Sequence, residues 1–181
     1  MKIFGLAGWS GSGKTTLVVQ VMPKIIERGI TVSTMKHTHH HFDLDRPGKD
    51  SHNHRMAGAA EVMLTSSTRW ALLHELNDQP EPSIEELLEH MSPVDLVLIE
   101  GFKSYPHPKI EVHRPSLGKP LLALDDGSVV AVASDEPMNV DHVPLIDLND
   151  PQVIADFIVD YVGLNSSAQP EKRPETRNGA A

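Results

Sequence analysis

The spacing of apolar positions changes along this chain, and each change marks an element. Lys2-Ile3-Phe4-Gly5-Leu6-Ala7 is a short, nearly continuous apolar run and reads as a buried strand. Leu17, Val18, Val21, Met22, Ile25 and Ile26 then recur at helical spacing. Pro23 lies inside that stripe, so a kink or break is expected there, because proline removes a helical hydrogen bond and clashes with the preceding turn. Gly29 is a helix stop, and Ile30–Lys36 is rich in β-formers. Residues 37–50 are polar and read as a loop, with a short helix over Ser51–Ala60. Val62–Thr65 and Arg69–Leu73 read as short strands, and Ser83-Ile84-Glu85-Glu86 is a capping box opening a helix to about Met91.

The second half repeats the alternation. Leu96-Val97-Leu98-Ile99 is a continuous apolar run ending at Glu100-Gly101, the pattern of a central parallel strand covered on both faces. Lys109-Ile110-Glu111-Val112-His113-Arg114 alternates and predicts an edge or half-covered strand. Leu121–Leu124 and Val129–Ala133 are further strand candidates. Asp150-Pro151 opens a last helix through Ile154, Phe157, Ile158 and Tyr161. Strands alternating with helices predict an α/β fold with a mainly parallel sheet and flanking helices. One domain is expected over residues 1–164, with 165–181 a disordered tail of Ser, Gln, Pro, Glu, Lys and Arg.

Composition narrows the function classes. The 181 residues suffice for one sizeable core, and neither a membrane span nor a signal peptide is expected. With no cysteine, disulfides and thiolate metal sites are excluded. A net charge of −9 excludes a general nucleic-acid surface. Of the 11 histidines, six fall between residues 37 and 54.

The densest chemistry follows the first strand. Gly8-Trp9-Ser10-Gly11-Ser12-Gly13-Lys14-Thr15 fits the phosphate-loop pattern G-x-x-x-x-G-K-[ST], between a strand and a helix as that motif requires. Its glycines allow backbone N–H groups to turn toward a polyphosphate, Lys14 reaches the outer phosphates, and the Thr15 hydroxyl is placed for Mg²⁺. The helix directs its N-terminal dipole at the same anion. Glu100, at the carboxyl end of a central strand, is the expected second holder of Mg²⁺, in preference to Asp95 at the opposite end. Gly101 allows a close approach to the last phosphate. Asp135, after the strand Val129–Ala133, is a candidate acceptor for guanine N–H groups. In the polar run 36–51, Asp43 and Asp45 are spaced to face a metal or a reacting hydroxyl, and His37, His39 and His41 alternate.

These segments together resemble the molybdopterin-guanine dinucleotide biosynthesis adapter protein B (MobB) family. The resemblance rests on Gly8 to Thr16, on Lys36-His37-Thr38-His39-His40 with Asp43, Asp45 and Pro47 to Ser51, on His54-Arg55 with Ala57-Gly58-Ala59, on Asp95 to Lys103, and on Lys109 to Val112. It runs from about Lys2 to about Leu164. It implies a cytoplasmic, dimeric, GTP-binding protein of phosphate-loop type with weak intrinsic hydrolysis. It also implies GTP and Mg²⁺ at Gly8, Ser10, Gly11, Ser12, Gly13, Lys14, Thr15 and Thr16, and a partnership with the guanylyltransferase that attaches GMP to molybdopterin. The ordinary Asn-Lys-x-Asp guanine motif does not occur. Two other readings stay open: a small-molecule kinase with Asp43 or Asp45 as general base, and a metal chaperone built on the histidine cluster. The kinase lacks an Arg-rich lid segment. For residues 37–51 the expected ligand is a phosphate and pterin, with Lys36, Arg46 and Lys49 beside the two acids.

Overall fold

The computed structural model describes residues 1–38 and 42–165. His39, His40 and His41 and residues 166–181, the bulk of the expected tail, lie outside the described residues. Two compact units divide the described residues: 1–37 with 93–165, and 38 with 42–92.

The first unit contains a parallel sheet of β1 (Lys2–Ala7), β2 (Val32–Lys36), β5 (Leu96–Glu100), β6 (Lys109–His113), β7 (Val129–Ser134) and β8 (Leu145–Asp147). The strand order is β2-β5-β1-β6-β7-β8, with every pairing parallel. Helices α1 (Lys14–Ile26) and α4 (Pro151–Tyr161) pack on one face. Phe4, Leu6, Leu96, Leu98, Ile110, Val112, Ala131 and Ala133 face them and form the core with Leu17, Val21, Ile25, Ile154 and Ile158. Burying one such aliphatic side chain contributes about 1.5–3 kcal/mol. Asp150 caps α4, its carboxylate accepting from the N–H groups of Gln152 and Val153.

Several expectations are corrected here. The α1 helix runs through Pro23 to Ile26 without a break. The hydrogen bond that proline cannot make is directed at Val19, which is 60% exposed, so water can satisfy the freed carbonyl. β6 is neither an edge nor half covered, since it lies between β1 and β7 with all five residues buried. Its alternation reflects two different coverings rather than solvent. Ile110 and Val112 face the helices, while Lys109 and Glu111 are fully buried among polar partners. Lys109 Nζ donates to the carbonyls of Lys103 and Tyr105 and to Asp126 at 2.7–3.0 Å. Glu111 accepts from the N–H groups of Leu122 and Ala123, both at 2.9 Å. Those two bonds explain why Leu121–Leu124 forms no strand: residues 122–124 make a 3₁₀ turn whose free N–H groups end on the Glu111 carboxylate.

His107 is also buried, against the bare Cα of Gly5, where an added Cβ would lie 2.3 Å from the imidazole. Burial pushes its pKa down to about 4; the Lys109 ammonium acts in the same sense and Asp126 opposes. The unfolded chain takes up this proton near pH 6.5 and the folded chain only near 4, so acidification through that window favours unfolding. Urea stability is expected to fall by about 2 kcal/mol from this group between pH 7 and 4.5. A His107→Gln variant with an equally steep decline would contradict the assignment.

The second unit holds α2 (Asp50–Met56), the antiparallel pair β3 (Glu61–Thr65) and β4 (Trp70–His74), and α3 (Ile84–Glu89) behind the expected Ser83–Glu86 capping box. Among the described residues the two strands pair only with each other. Among the described residues, no helix is long and apolar enough to cross a membrane.

Candidate functional site

Parallel register sets the site. Lys36 pairs with Glu100 across β2 and β5, and Glu100 pairs with Leu6 across β5 and β1. The ends of three strands therefore meet where residues 8–13 leave β1, the carboxyl-end crevice in which α/β sheets bind ligands. Gly8 has φ 143°, and an added Cβ would lie 2.4 Å from the Val112 carbonyl oxygen. Only glycine lets the loop turn this close to β6. Gly13 caps α1 with φ 98° and supplies no side chain to the first turn, which also contains no acid. The first N–H groups of the helix are thus left to an external acceptor, and the dipole favours an anion.

Lys14 folds back over this loop, donating to the carbonyls of Gly8 and Trp9, both at 3.0 Å. Burial lowers its pKa below the usual lysine range; Lys103 and Lys36 push the same way and Glu100 opposes. The Thr15 hydroxyl donates to Glu100 Oε1 at 2.7 Å. Ser10, Gly11, Gly13, Lys14, Thr15, Thr16, Lys36 and Glu100 line one cleft of about 400 Å³. Ser12 is buried behind it. A Thr hydroxyl and a carboxylate side by side are hard oxygen donors, and Mg²⁺ at nucleotide sites takes only one or two protein ligands, so these residues fit that ion. Bound there, Mg²⁺ would neutralise phosphate charge. Among the described residues no group of three or more His, Asp or Glu is placed to hold a metal.

Asp95 stands at the other end of β5. It accepts from the Thr31 N–H at 2.8 Å and hydroxyl at 2.6 Å, while its own N–H donates to Thr31 Oγ1. That pair staples β2 to β5. Asp95→Asn is expected to cost about 1 kcal/mol of stability and leave ligand binding intact, whereas Glu100→Gln is expected to weaken Mg²⁺-dependent binding about tenfold with an unchanged melting temperature. Denaturant titration and calorimetry on both variants distinguish the two roles; equal loss of binding would contradict them.

Gly101, with φ 100°, lies directly against His37, whose ring is tilted by 39° to that of Phe102 at 4.5 Å between centroids. Asp135 pairs with the Arg114 guanidinium through Oδ2, and its Oδ1 is buried without a hydrogen-bond partner among the described residues. Arg114 also donates from Nε to the Ser12 carbonyl at 3.0 Å, so it ties the phosphate loop to the end of β7. A second, smaller cavity of about 160 Å³ opens beside Gly13, lined by Thr16, Leu17, Gln20, Arg114, Leu148 and Asn149. In the second unit, Arg55 gathers Asp43 at 2.6 Å and Asp45 and Glu75 at 3.2 Å, and Ser51 donates to Asp45. The hydrogen bond from Arg55 holds the Asp43 carboxyl below its ordinary range. His39 and His41 lie outside the described residues.

Sequence reasoning passed over Arg114 and Lys103. Lys103 Nζ lies 4.4 Å from the centre of the Trp9 ring, and Trp9 Nε1 donates to the Pro120 carbonyl at 2.8 Å. Nothing local announces either contact; an arginine just beyond a strand that ends near the loop was the only available cue.

A family model described as molybdopterin guanine dinucleotide synthesis protein B matches residues 3–135. The molybdopterin-guanine dinucleotide biosynthesis adapter protein of Escherichia coli (strain K12) is 44% identical over 163 residues, covering 88% of this chain and 93% of that protein. The protein of the same name from Haemophilus influenzae is 42% identical, with 88% and 89% covered. A crystal structure of molybdopterin-guanine biosynthesis protein B superposes with a TM-score of 0.69 at 27% identity, covering 88% of this chain and 99% of that one. Bacillus subtilis MobB shares the fold at a TM-score of 0.71 and 24% identity, with 90% and 98% covered.

Proposed function

This chain belongs to the molybdopterin guanine dinucleotide synthesis protein B family, and from that premise we propose that it is a GTP-binding adapter in molybdopterin guanine dinucleotide biosynthesis. On this reading it hydrolyses GTP slowly with Mg²⁺, acts in the cytoplasm, and delivers its ligand to the nucleotidyltransferase that attaches GMP to molybdopterin. The carrying observation is the Thr15–Glu100 contact of 2.7 Å at the mouth of a glycine loop whose helix N-terminus is uncapped by any side chain.

Guanine selection rests on Asp135. Arg114 fixes one carboxylate oxygen and leaves the buried Oδ1 as an acceptor, the group that guanine N1–H and N2–H₂ satisfy and adenine N1 does not. Asp135→Ala is expected to erode the preference for GTP over ATP at least tenfold, because a site built around a buried hydrogen bond discriminates strongly against ligands lacking it. Competition of the two nucleotides on both proteins is the check, and an unchanged ratio would refute the role.

The kinase reading is disfavoured by Arg55, which pairs with both Asp43 and Asp45 and whose hydrogen bond holds the Asp43 carboxyl below its ordinary range, making it a weak base. Residues 37–51 are assigned instead to pterin and phosphate contacts. Self-association is supported by the β3–β4 pair. Its register places Met63, Leu72 and Trp70 on one face, where they are 61%, 40% and 63% exposed, an apolar patch of the kind that marks an interface. The test is reconstituted GMP transfer to molybdopterin at limiting GTP. Adding this protein to the nucleotidyltransferase is expected to raise product formation; no change at saturating adapter would refute the role.

A further inference from the structure

The Thr15–Glu100 pair has a cation of the chain's own lying against it. Lys36 ends β2 at the register position beside Glu100. Its ammonium is 3.1 Å from Glu100 Oε1 and donates to Thr15 Oγ1 at 3.3 Å. These are the two oxygens that suit Mg²⁺, and two cations this close repel even in water. The other lysines around the cleft are engaged elsewhere: Lys14 on the Gly8 and Trp9 carbonyls, Lys103 over the Trp9 ring. The Lys36 side chain is 59% exposed and carries its charge on a flexible stem, so it is free to exchange partners. It also lines the same cleft as Lys14 and Thr15, which makes it a neighbour of any phosphate chain seated on the loop.

We propose that Lys36 is an exchangeable occupant of the Thr15–Glu100 pair that yields those oxygens to a divalent cation and transfers its ammonium to the outermost phosphate, so that the site favours a nucleoside triphosphate over a diphosphate. The proposal rests on the reading of this cleft as a nucleotide site. Lys36 thereby does two jobs. It keeps the carboxylate paired and aimed, and it links metal entry to recognition of the last phosphate. Lys36→Met should keep its fold, since the side chain is solvent-facing at a strand end.

Two measurements separate the halves of this idea. First, Mn²⁺ as a spectroscopic substitute for Mg²⁺ is titrated without nucleotide into the unmodified protein, Lys36→Met and Glu100→Gln. Removing the competing charge is expected to tighten Mn²⁺ about thirtyfold in Lys36→Met, the effect of one unit charge on a divalent ion at about 4 Å in water. Adding Glu100→Gln to Lys36→Met should abolish that gain. Equal Mn²⁺ affinity with and without Lys36 would overturn the exchange. Second, GTP and GDP are titrated calorimetrically at a fixed Mg²⁺ concentration. Lys36→Met should lose about tenfold of the GTP-over-GDP preference, the value of one charge-assisted hydrogen bond, and Lys36→Arg should retain it. An unchanged preference in Lys36→Met would overturn the phosphate role. If the unmodified protein bound neither nucleotide, the nucleotide reading and the phosphate role would fail together, while the Mn²⁺ titration would still decide the exchange.

Discussion

Replacing Lys14 with alanine is expected to weaken GTP binding at least about a hundredfold while the protein keeps its fold. The ammonium sits inside the curve of the loop, where it bonds to the Gly8 and Trp9 carbonyls at 3.0 Å. It lines the same cleft as Thr15 and Glu100. Two charge-assisted hydrogen bonds to phosphate contribute about 3 kcal/mol or more, which is a hundredfold in affinity. Burial already holds the Lys14 ammonium below the usual range, so a phosphate partner restores a proton affinity that desolvation removed. The cost to the fold is small, because both hydrogen bonds of Lys14 stay within its own loop, to residues five and six positions back. Calorimetry with GTP and a thermal melt on the same variant provide the check. Unchanged affinity would remove the loop from the account.

The second large effect concerns stability. Lys109→Met is expected to lower the unfolding free energy by about 3 kcal/mol, because Lys109 is fully buried and its ammonium satisfies two carbonyls and Asp126. Methionine fills the space but donates nothing, leaving the Lys103 and Tyr105 carbonyls and the Asp126 carboxylate without this donor. The consequence reaches the site, since Lys103 and Tyr105 belong to the segment that follows Glu100 and places Lys103 over Trp9. Urea unfolding measures the loss. The double variant Lys109→Met with Asp126→Asn should recover part of it by removing the unpaired charge, and a loss under 1 kcal/mol in the single variant would contradict the buried assignment.

Those two residues also show what a sequence discloses and what it hides. Lys14 was legible because everything that defines it is local: an apolar strand, a glycine loop and a helical stripe within 26 residues. Glu100 was legible because a continuous apolar run can end in only one place at the carboxyl edge of a parallel sheet. Asp95 could be set aside for the same reason, and the structure places it on Thr31 at the opposite edge. Lys109 and Glu111 were not legible. Their alternation with Ile110 and Val112 is what a half-solvated strand would show, and the partners that allow burial come from residues 103–105 and 122–126. Leu121–Leu124 has the composition of a strand, but its backbone N–H groups are claimed by a carboxylate on β6. The three residues of β8 are too few to show a period. The strands of the second unit were visible, but their exclusive pairing with each other was not, because register carries no local signature in so short a hairpin.

Among candidate site residues the division is similar. Ser10, Gly11, Gly13, Lys14, Thr15, Thr16 and Glu100 line one cleft, while Gly8 and Ser12 are buried. The partner of Asp135, Arg114, lies 21 residues away in the chain and announces nothing in advance. The spacing of Asp43 and Asp45 suits a metal or a reacting hydroxyl; Arg55, visible only in three dimensions, binds both.

The central claim is that the Gly8–Thr16 loop binds a guanine nucleotide with Mg²⁺, and its most direct test is calorimetric titration of the unmodified protein with GTP and with ATP, each with and without Mg²⁺. The account predicts one GTP per chain, tighter with Mg²⁺ than without, and ATP at least tenfold weaker. No binding of either nucleotide, or ATP bound as tightly as GTP, would contradict it.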